Sequence, residues 1–246
     1  MLKKWEKLPD YMRTDAVRPY YNSLKKKCAS LLFKRAFDIV VSFLMLVIFS
    51  PVLIVIAILI ATDSKGGVLF RQVRVTQYGR EFRIHKFRTM VVNAERVGSQ
   101  VTVKNDMRVT KIGAKLRRVR LDELPQLIDI LQGNMSFVGT RPEVPRYVER
   151  YSDGMYATLL LPAGVTSEAS IKYKDEDRLL ANADNVDDVY VQEVLPGKMK
   201  YNLESIRKFS FWGEIRTMVR TVTAVMEKEE RQGVSSDRKR TGSQKM

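Results

Sequence analysis

The longest apolar stretch runs from Ile39 to Ala61, 23 residues without a charge. As a straight helix it would cover roughly 34 Å, enough to cross the hydrocarbon core of a bilayer. Ser50-Pro51 stands in its middle. Proline lacks a backbone donor and crowds the turn before it, so a kink is predicted, leaving two halves of roughly 17 Å. Neither half spans, but the pair can dip in and return. The Ser50 hydroxyl or a neighbouring helix can satisfy the freed backbone groups. Lys25, Lys26, Lys27, Lys34 and Arg35 precede the run, and Lys65, Arg71, Arg74 and Arg80 follow it. Positive flanks favour the cytoplasmic side. A re-entrant helix-break-helix keeps both clusters there; the competing reading, a Pro-kinked span, exports one of them.

Around this run the patterning is weaker. Residues 1–33 read as a polar, partly helical lead-in, 34–62 as the membrane segment, 63–226 as the main body and 227–246 as a polar, flexible tail. Short alternations at Val68-Leu69-Phe70 and from Phe82 to Phe87, punctuated by Gly66-Gly67 and Tyr78-Gly79, predict a small β-hairpin. Thr89 to Val97 reads as a short helix, and Thr110 to Arg118 as another. A further helix is expected to start near Asp122, with Leu124, Leu127, Ile128 and Leu131 on one face and Gly133-Asn134 as its stop. Met135 to Gly139 reads as an apolar linker, Pro142 to Tyr151 as a helix, and Pro162-Ala163-Gly164 as a loop. Asp187 to Leu195, Gly197 to Phe209 and Phe211 to Met226 are read as helices. The fold class is therefore mainly α with a small β-hairpin.

Composition narrows the function classes. The 246 residues carry a net charge of +15, which points to phosphate-bearing partners. One cysteine, Cys28, excludes an intrachain disulfide, and with the single histidine, His85, argues against a structural zinc site. The first 30 residues lack the apolar run of a cleaved signal peptide.

The chemistry concentrates between Lys115 and Leu127. Arg117, Arg118 and Arg120 come just before the adjacent carboxylates Asp122 and Glu123 at a predicted helix start. Alone, such a pair has a plain explanation: acids complement the positive end of a helix dipole. Arg141, eighteen residues after Glu123, changes the reading. A pyrophosphate needs cations around its oxygens and a divalent metal held by one or two carboxylates. A carboxylate can also attack phosphorus to form an acyl phosphate.

Several motifs then occur in one order. They are Lys34-Arg35-Ala36-Phe37-Asp38, Ser50-Pro51, His85-Lys86-Phe87-Arg88-Thr89-Met90 and Leu121-Asp122-Glu123-Leu124-Pro125-Gln126, followed by Gly133-Asn134-Met135-Ser136-Phe137-Val138-Gly139 and Arg141-Pro142. From about Lys34 to Met226 the chain resembles the bacterial sugar transferases, the monotopic polyprenol phosphate phosphoglycosyl transferases. The resemblance implies a re-entrant helix and interfacial amphipathic helices around a cytosolic catalytic body, on the cytosolic face of the bacterial inner membrane. It also implies transfer of a sugar-1-phosphate from a UDP-sugar to undecaprenyl phosphate, with UMP released and membrane lipids as surroundings. In that scheme Asp122 is the nucleophile and forms a covalent phosphosugar. Glu123, with Asp122, holds Mg²⁺. Arg141, Arg117, Lys86 and Arg88 bind substrate phosphate. Lys34, Arg35, Ser50 and Pro51 serve the membrane and the polyprenyl phosphate. Such an enzyme catalyses the first membrane step of polysaccharide or glycoconjugate synthesis. The absence of a large N-terminal membrane domain resembles the small form of the family.

Two departures stand out: Thr140 replaces a common proline, and Leu161 to Ser170 differs from the usual nucleotide- and sugar-binding loop. Donor identity, glycan pathway and oligomeric state stay open. Other residues keep two readings. Lys86 and Arg88 could be a solvated strand face, and His85 a structural histidine or a general base. Asp175-Glu176-Asp177 reads as a solvated loop before a metal site. Phe209, Phe211 and Trp212 suit either core or lipid interface, and Cys28 is a lipidation candidate. The competing functions are a conventional glycosyltransferase releasing UDP and a basic membrane-anchored binding protein. Nucleic acid is not expected as a partner, because aromatics are not interleaved with the basic residues.

Overall fold

Proline at position 51 does not end the apolar helix. In the computed structural model, which describes residues 2–92, 94, 106–174, 176, 180 and 185–224, Cys28–Asp63 is one helix with Pro51 inside it. Val47 is the residue whose carbonyl would have accepted from position 51, and the Ser50 hydroxyl donates to it instead, at 2.8 Å. A short helix, α1 (Arg18–Lys25), precedes this long one, α2. Both arms of α2 lie on the same body. Met45 and Leu46 pack with Leu127 and Ile130, while Leu53, Ile56, Ala57 and Ile60 pack with Phe87 and Leu116. Its outer face, including Phe43, Leu44, Val47, Ile48, Ile54, Val55 and Ile58, is exposed and apolar.

After α2 come β1 (Leu69–Phe70), β2 (Val73–Val75), β3 (Glu81–Arg83) and β4 (Lys86–Phe87). The predicted pairing of the Val68–Phe70 and Phe82–Phe87 stretches is met by β1 with β4, antiparallel. Inside it β2, which the alternations did not mark, forms an antiparallel hairpin with β3 around Tyr78-Gly79. Helix α3 (Lys111–Arg118) forms where its spacing predicts, its first turn capped by the Thr110 hydroxyl. Of the helix read over Thr89 to Val97, Met90 instead makes a β-bridge to Val109, and positions 93 and 95–97 lie outside the described residues.

The helix expected near Asp122 begins later. Leu121–Glu123 is a 3-10 turn, and α4 is Gln126–Gln132, closed by Gly133 in the left-handed conformation (φ 80°). Of the predicted face only Leu127 is buried, together with Gln126, Asp129 and Ile130; Leu124, Ile128 and Leu131 are partly exposed. The apolar linker and the Pro162 loop are corrected too. Met135–Val138 is strand β5; after the short helix α5 (Pro145–Val148) it pairs in parallel with β6 (Ala163–Thr166). Only four residues of the helix read over Pro142 to Tyr151 are helical. Helix α6 (Glu168–Lys172) follows. The next two predicted helices merge: α7 (Val186–Val189), a π-helical segment (Tyr190–Val194) and α8 (Leu195–Arg207) run on continuously. Residues 211–224 form α9.

The lead-in does not stand apart from the body. Leu8, Met12, Val17, Tyr21 and Leu24 are buried against Leu160, Ile206 and Phe209. Phe209 is therefore core, whereas Phe211 meets Phe37 edge-on and Trp212 is 78% exposed. Cys28 is a free, exposed thiol at the start of α2. The tail from 227 onward lies outside the described residues.

Candidate active site

A tight turn delivers the two carboxylates. Helix α3 ends at Arg118, and Arg120 then adopts a left-handed backbone (φ 58°), which non-glycine residues seldom do. The reversal carries Asp122 and Glu123 inward; both are buried, within reach of cations from three other segments. Lys86 comes from β4, Arg141 from the segment after β5, and Arg117 from the last turn of α3.

The cations divide unequally. Glu123 Oε1 lies 2.6 Å from Arg141 Nη2, 2.9 Å from Lys86 Nζ and 3.8 Å from Arg120 Nη1. Asp122 is held less closely: its Oδ2 lies 4.0 Å from Lys86 Nζ, and its buried Oδ1 has no hydrogen-bond partner among the described residues. The two acids consequently differ in proton affinity. Burial pushes Glu123 up, but Arg141, Lys86 and Arg120 outweigh it and hold it well below the usual carboxylate range. Burial also raises Asp122, and there Lys86, Arg117 and Arg120 fall short of offsetting it, with Glu123 adding to the rise. Burial lowers Lys86 against the pull of Glu123, while Glu123 raises Arg141. One carboxylate is thus a locked anion and its neighbour a carboxyl group of raised proton affinity whose Oδ1 has no hydrogen-bond partner among the described residues. That is the arrangement expected of an electrostatic organiser beside a nucleophile.

The sequence-derived set is only partly assembled. Asp122, Glu123, Lys86, Arg141 and Arg117 converge, and Arg117 also donates to Thr89 Oγ1 at 2.8 Å. Lys86 is therefore no solvated strand face. Arg88 is not part of the cluster: it is buried and donates to the carbonyls of Ser64 (2.7 Å) and Lys65, tying down the end of α2. Lys34 and Arg35 face the body rather than a lipid surface. Buried Lys34 bonds Val138 O (2.8 Å) and Glu214, while Arg35 clamps the carbonyls of Ile130 (2.6 Å) and Leu131 (2.9 Å) at the end of α4. Ser50 and Pro51 lie exposed on α2. His85 is held by Asp129, and Glu176 pairs with Lys198, whereas Asp175 and Asp177 lie outside the described residues. In the sequence Arg120 stands out only as one of three arginines; its place 3.8 Å from Glu123 depends on the left-handed turn, which has no local signal.

Arg141 is set by a close backbone approach. Gly139 N donates to Thr166 O (3.0 Å) and Gly164 N to Thr140 O (2.8 Å), which extends the β5–β6 pairing to the residue before Arg141. A methyl on Gly164 would fall 2.1 Å from Gly139 N. Gly164→Ala is expected to cost on the order of 2–3 kcal/mol by overpacking. It should also lower turnover at least about tenfold by displacing Arg141, although no substrate contact is removed. Thermal melts and rates matching the unsubstituted protein would refute this.

No group of three or more metal-ligating His, Cys, Asp or Glu side chains occurs among the described residues, so any metal here would rest on Asp122 and Glu123 with oxygens from its substrate.

The bacterial sugar transferase family model matches residues 29–228. The chain is 33% identical over 197 residues to UDP-N-acetylgalactosamine-undecaprenyl-phosphate N-acetylgalactosaminephosphotransferase of Aeromonas hydrophila; the match covers 78% of this chain and 43% of that one. It is 39% identical over 199 residues to UDP-glucose:undecaprenyl-phosphate glucose-1-phosphate transferase of Klebsiella pneumoniae, covering 78% and 40%. Over a shorter stretch of 112 residues it is 48% identical to an exopolysaccharide production protein of Rhizobium leguminosarum bv. phaseoli, covering 45% and 56%. The chain thus spans less than half the length of the first two relatives. The family match runs through α2, the buried carboxylate pair and its cations, and the chain belongs to the bacterial sugar transferase family.

Proposed function

We propose that this protein transfers a sugar-1-phosphate from a UDP-sugar to undecaprenyl phosphate, through a covalent phosphosugar on Asp122. The observation that carries the reading is the contrast between the two adjacent buried carboxylates, one with its Oε1 engaged by Arg141 and Lys86 and one with an oxygen that has no hydrogen-bond partner among the described residues. In the first step an oxygen of Asp122 attacks the β-phosphorus. The bond from that phosphorus to the bridging oxygen breaks, and UMP leaves. In the second step a phosphate oxygen of undecaprenyl phosphate attacks the same phosphorus and expels Asp122. Lys86, Arg117, Arg120 and Arg141 offset the charge that builds on the phosphoryl oxygens.

Magnesium fits this donor set. It takes hard oxygen ligands, usually one or two carboxylates plus substrate phosphates, and Asp122 presents a buried carboxylate oxygen without a partner. Asp122 and Glu123 would hold it, and when bound it would neutralise part of the diphosphate charge.

The names of the Aeromonas hydrophila and Klebsiella pneumoniae relatives, both built on undecaprenyl phosphate and a sugar phosphate, support the substrate classes. The exposed apolar face of α2 supports work at a membrane. Both arms of α2 dock on one body, and Asp63 at its far end accepts from Ile112 N at 3.2 Å. That favours a re-entrant helix on the cytosolic face, since a span would part its ends by about 30 Å of hydrocarbon. Tags at the two termini should then both be shielded from outside intact cells; exposure of one alone would mean a true span. The reaction itself is tested by incubating the protein with nucleotide sugars and undecaprenyl phosphate and identifying the nucleotide released. UMP supports the reading, while UDP would indicate a conventional glycosyltransferase.

A further inference from the structure

The buried pair His85–Asp129 has no part in the chemistry above, yet it ties the residue before β4 to α4, the helix that follows the carboxylate turn. Asp129 lies on α4, entirely buried, two turns after the carboxylate pair. Its Oδ1 is 2.8 Å from His85 Nδ1, and its Oδ2 accepts the His85 backbone N–H, also at 2.8 Å. The next residue, Lys86, sends Nζ to Glu123 Oε1. The contacts form a closed circuit: Asp129, His85, Lys86, Glu123, and back along the chain into α4.

A buried carboxylate is a poor way to gain stability, because its desolvation cancels most of the attraction and apolar replacements often do better. What two hydrogen bonds to one residue do provide is position. β4 is two residues long and pairs only with the two residues of β1, too little sheet to hold a strand in place unaided. Lysine's flexible four-carbon stem has little direction of its own, so how often its ammonium meets Glu123 depends on where the backbone of β4 is held.

We propose that Asp129 is a positioning residue for the phosphosugar transfer: by gripping His85 at two points it fixes β4 so that Lys86 meets Glu123. The proposal rests on the transferase reading above. It assigns His85 a mechanical part and leaves the imidazole out of proton transfer.

Three variants and one spectroscopic signal test it. In Asp129→Ala the grip is gone, and kcat should fall about 10–100-fold with KM changed less than about twofold. In Asp129→Asn the amide oxygen can accept the His85 N–H while the amide nitrogen donates to Nδ1 of the neutral ring, so kcat should return to near the unsubstituted value. In His85→Asn the side-chain amide nitrogen stands close to where Nδ1 was and can still donate to Asp129, so kcat should again be largely kept. Because the chain has a single histidine, ¹⁵N-histidine labelling gives one imidazole to follow. Its protonated, hydrogen-bonded Nδ1 signal should vanish in Asp129→Ala.

Unchanged kcat in folded Asp129→Ala would overturn the proposal. So would Asp129→Asn as impaired as a collapsed or inactive Asp129→Ala, an inactive but folded His85→Asn, or an Nδ1 signal indifferent to Asp129. If the unsubstituted protein releases no UMP, the transferase reading falls, while the histidine signal still reports independently on the grip.

Discussion

Asp122→Asn should yield a protein that folds at least as well as the original and transfers nothing. Both halves of that expectation come from one environment. Burial raises the Asp122 carboxyl above its ordinary range despite the nearby cations, so the fold favours its neutral form. A group raised in this way gains stability as pH falls through its folded-state pKa and is a burden at neutral pH. The neutral, isosteric amide removes that burden, and thermal melts at pH 7 should show no loss. Turnover should drop by at least about 10⁴-fold, as when a covalent nucleophile is removed from other enzymes. Radiolabel from a donor carrying ³²P in its β-phosphate should not remain on the denatured protein, whereas a trapped reaction of the unsubstituted protein should show it on Asp122.

The same reasoning sets a pH profile. Attack requires the anion, so kcat/KM should fall with decreasing pH through a limb above the ordinary aspartate value of about 3.9. Glu123 is held well below its own range and does not contribute to that limb. Full activity in Asp122→Asn, or an adduct on another residue, would end the covalent scheme.

How far the sequence revealed this arrangement depended on the range of each interaction. The apolar run with its central Ser50-Pro51 was plain, down to the hydroxyl that meets the freed carbonyl, because those partners are three residues apart. The turn at Tyr78-Gly79, strands β1, β3 and β4, and α3 were legible for the same reason: their periodicity and turn residues are local; β2, lying between the marked alternations, was not. The pairing of β5 with β6 was not. The strands are four residues each, parallel, buried along most of their length and nearly 30 residues apart, so neither alternation nor a hairpin turn announces them. Their glycines and proline imitate a loop.

Among the site residues, Asp122, Glu123 and Arg141 could be singled out as residue types suited to phosphoryl transfer, but not their unequal sharing of cations. That depends on the left-handed turn at Arg120 and on Lys86 arriving from β4. Long basic side chains misled most. Lys34, Arg35 and Arg88 read as phosphate or lipid ligands, yet each finds a backbone carbonyl 23–104 residues away, a choice made only by the packed structure. Asp129 was missed because the apolar spacing of α4 matched a stripe on which it did not fall, and the helix turned another face inward.

Glu123→Ala should do the reverse of Asp122→Asn in stability and resemble it in rate. Glu123 Oε1 is the common acceptor of Arg141 and Lys86, with Arg120 close by. Removing it leaves cations facing one another inside the protein, and breaking a buried pair in this way costs about 3–5 kcal/mol. The sign follows from its depressed pKa: the stabilisation is present at neutral pH and is lost as pH falls through the folded-state value, so the deficit of Glu123→Ala should be largest near pH 7 and narrow in acid. Glu123→Gln keeps a neutral acceptor and should lose less stability, but its magnesium requirement and rate should weaken together. A second substitution separates charge balance from catalysis. Lys86→Met in the Glu123→Ala background removes one of the stranded cations, so it should restore part of the lost stability. It should restore none of the turnover, because the phosphoryl group then lacks both the organising carboxylate and a positive neighbour. Denaturant melts and UMP release on the single and double variants measure the two quantities separately. A Glu123→Ala protein as stable as the original, or a double variant no more stable than the single, would mean that the convergence on Oε1 is not what holds this corner of the fold together.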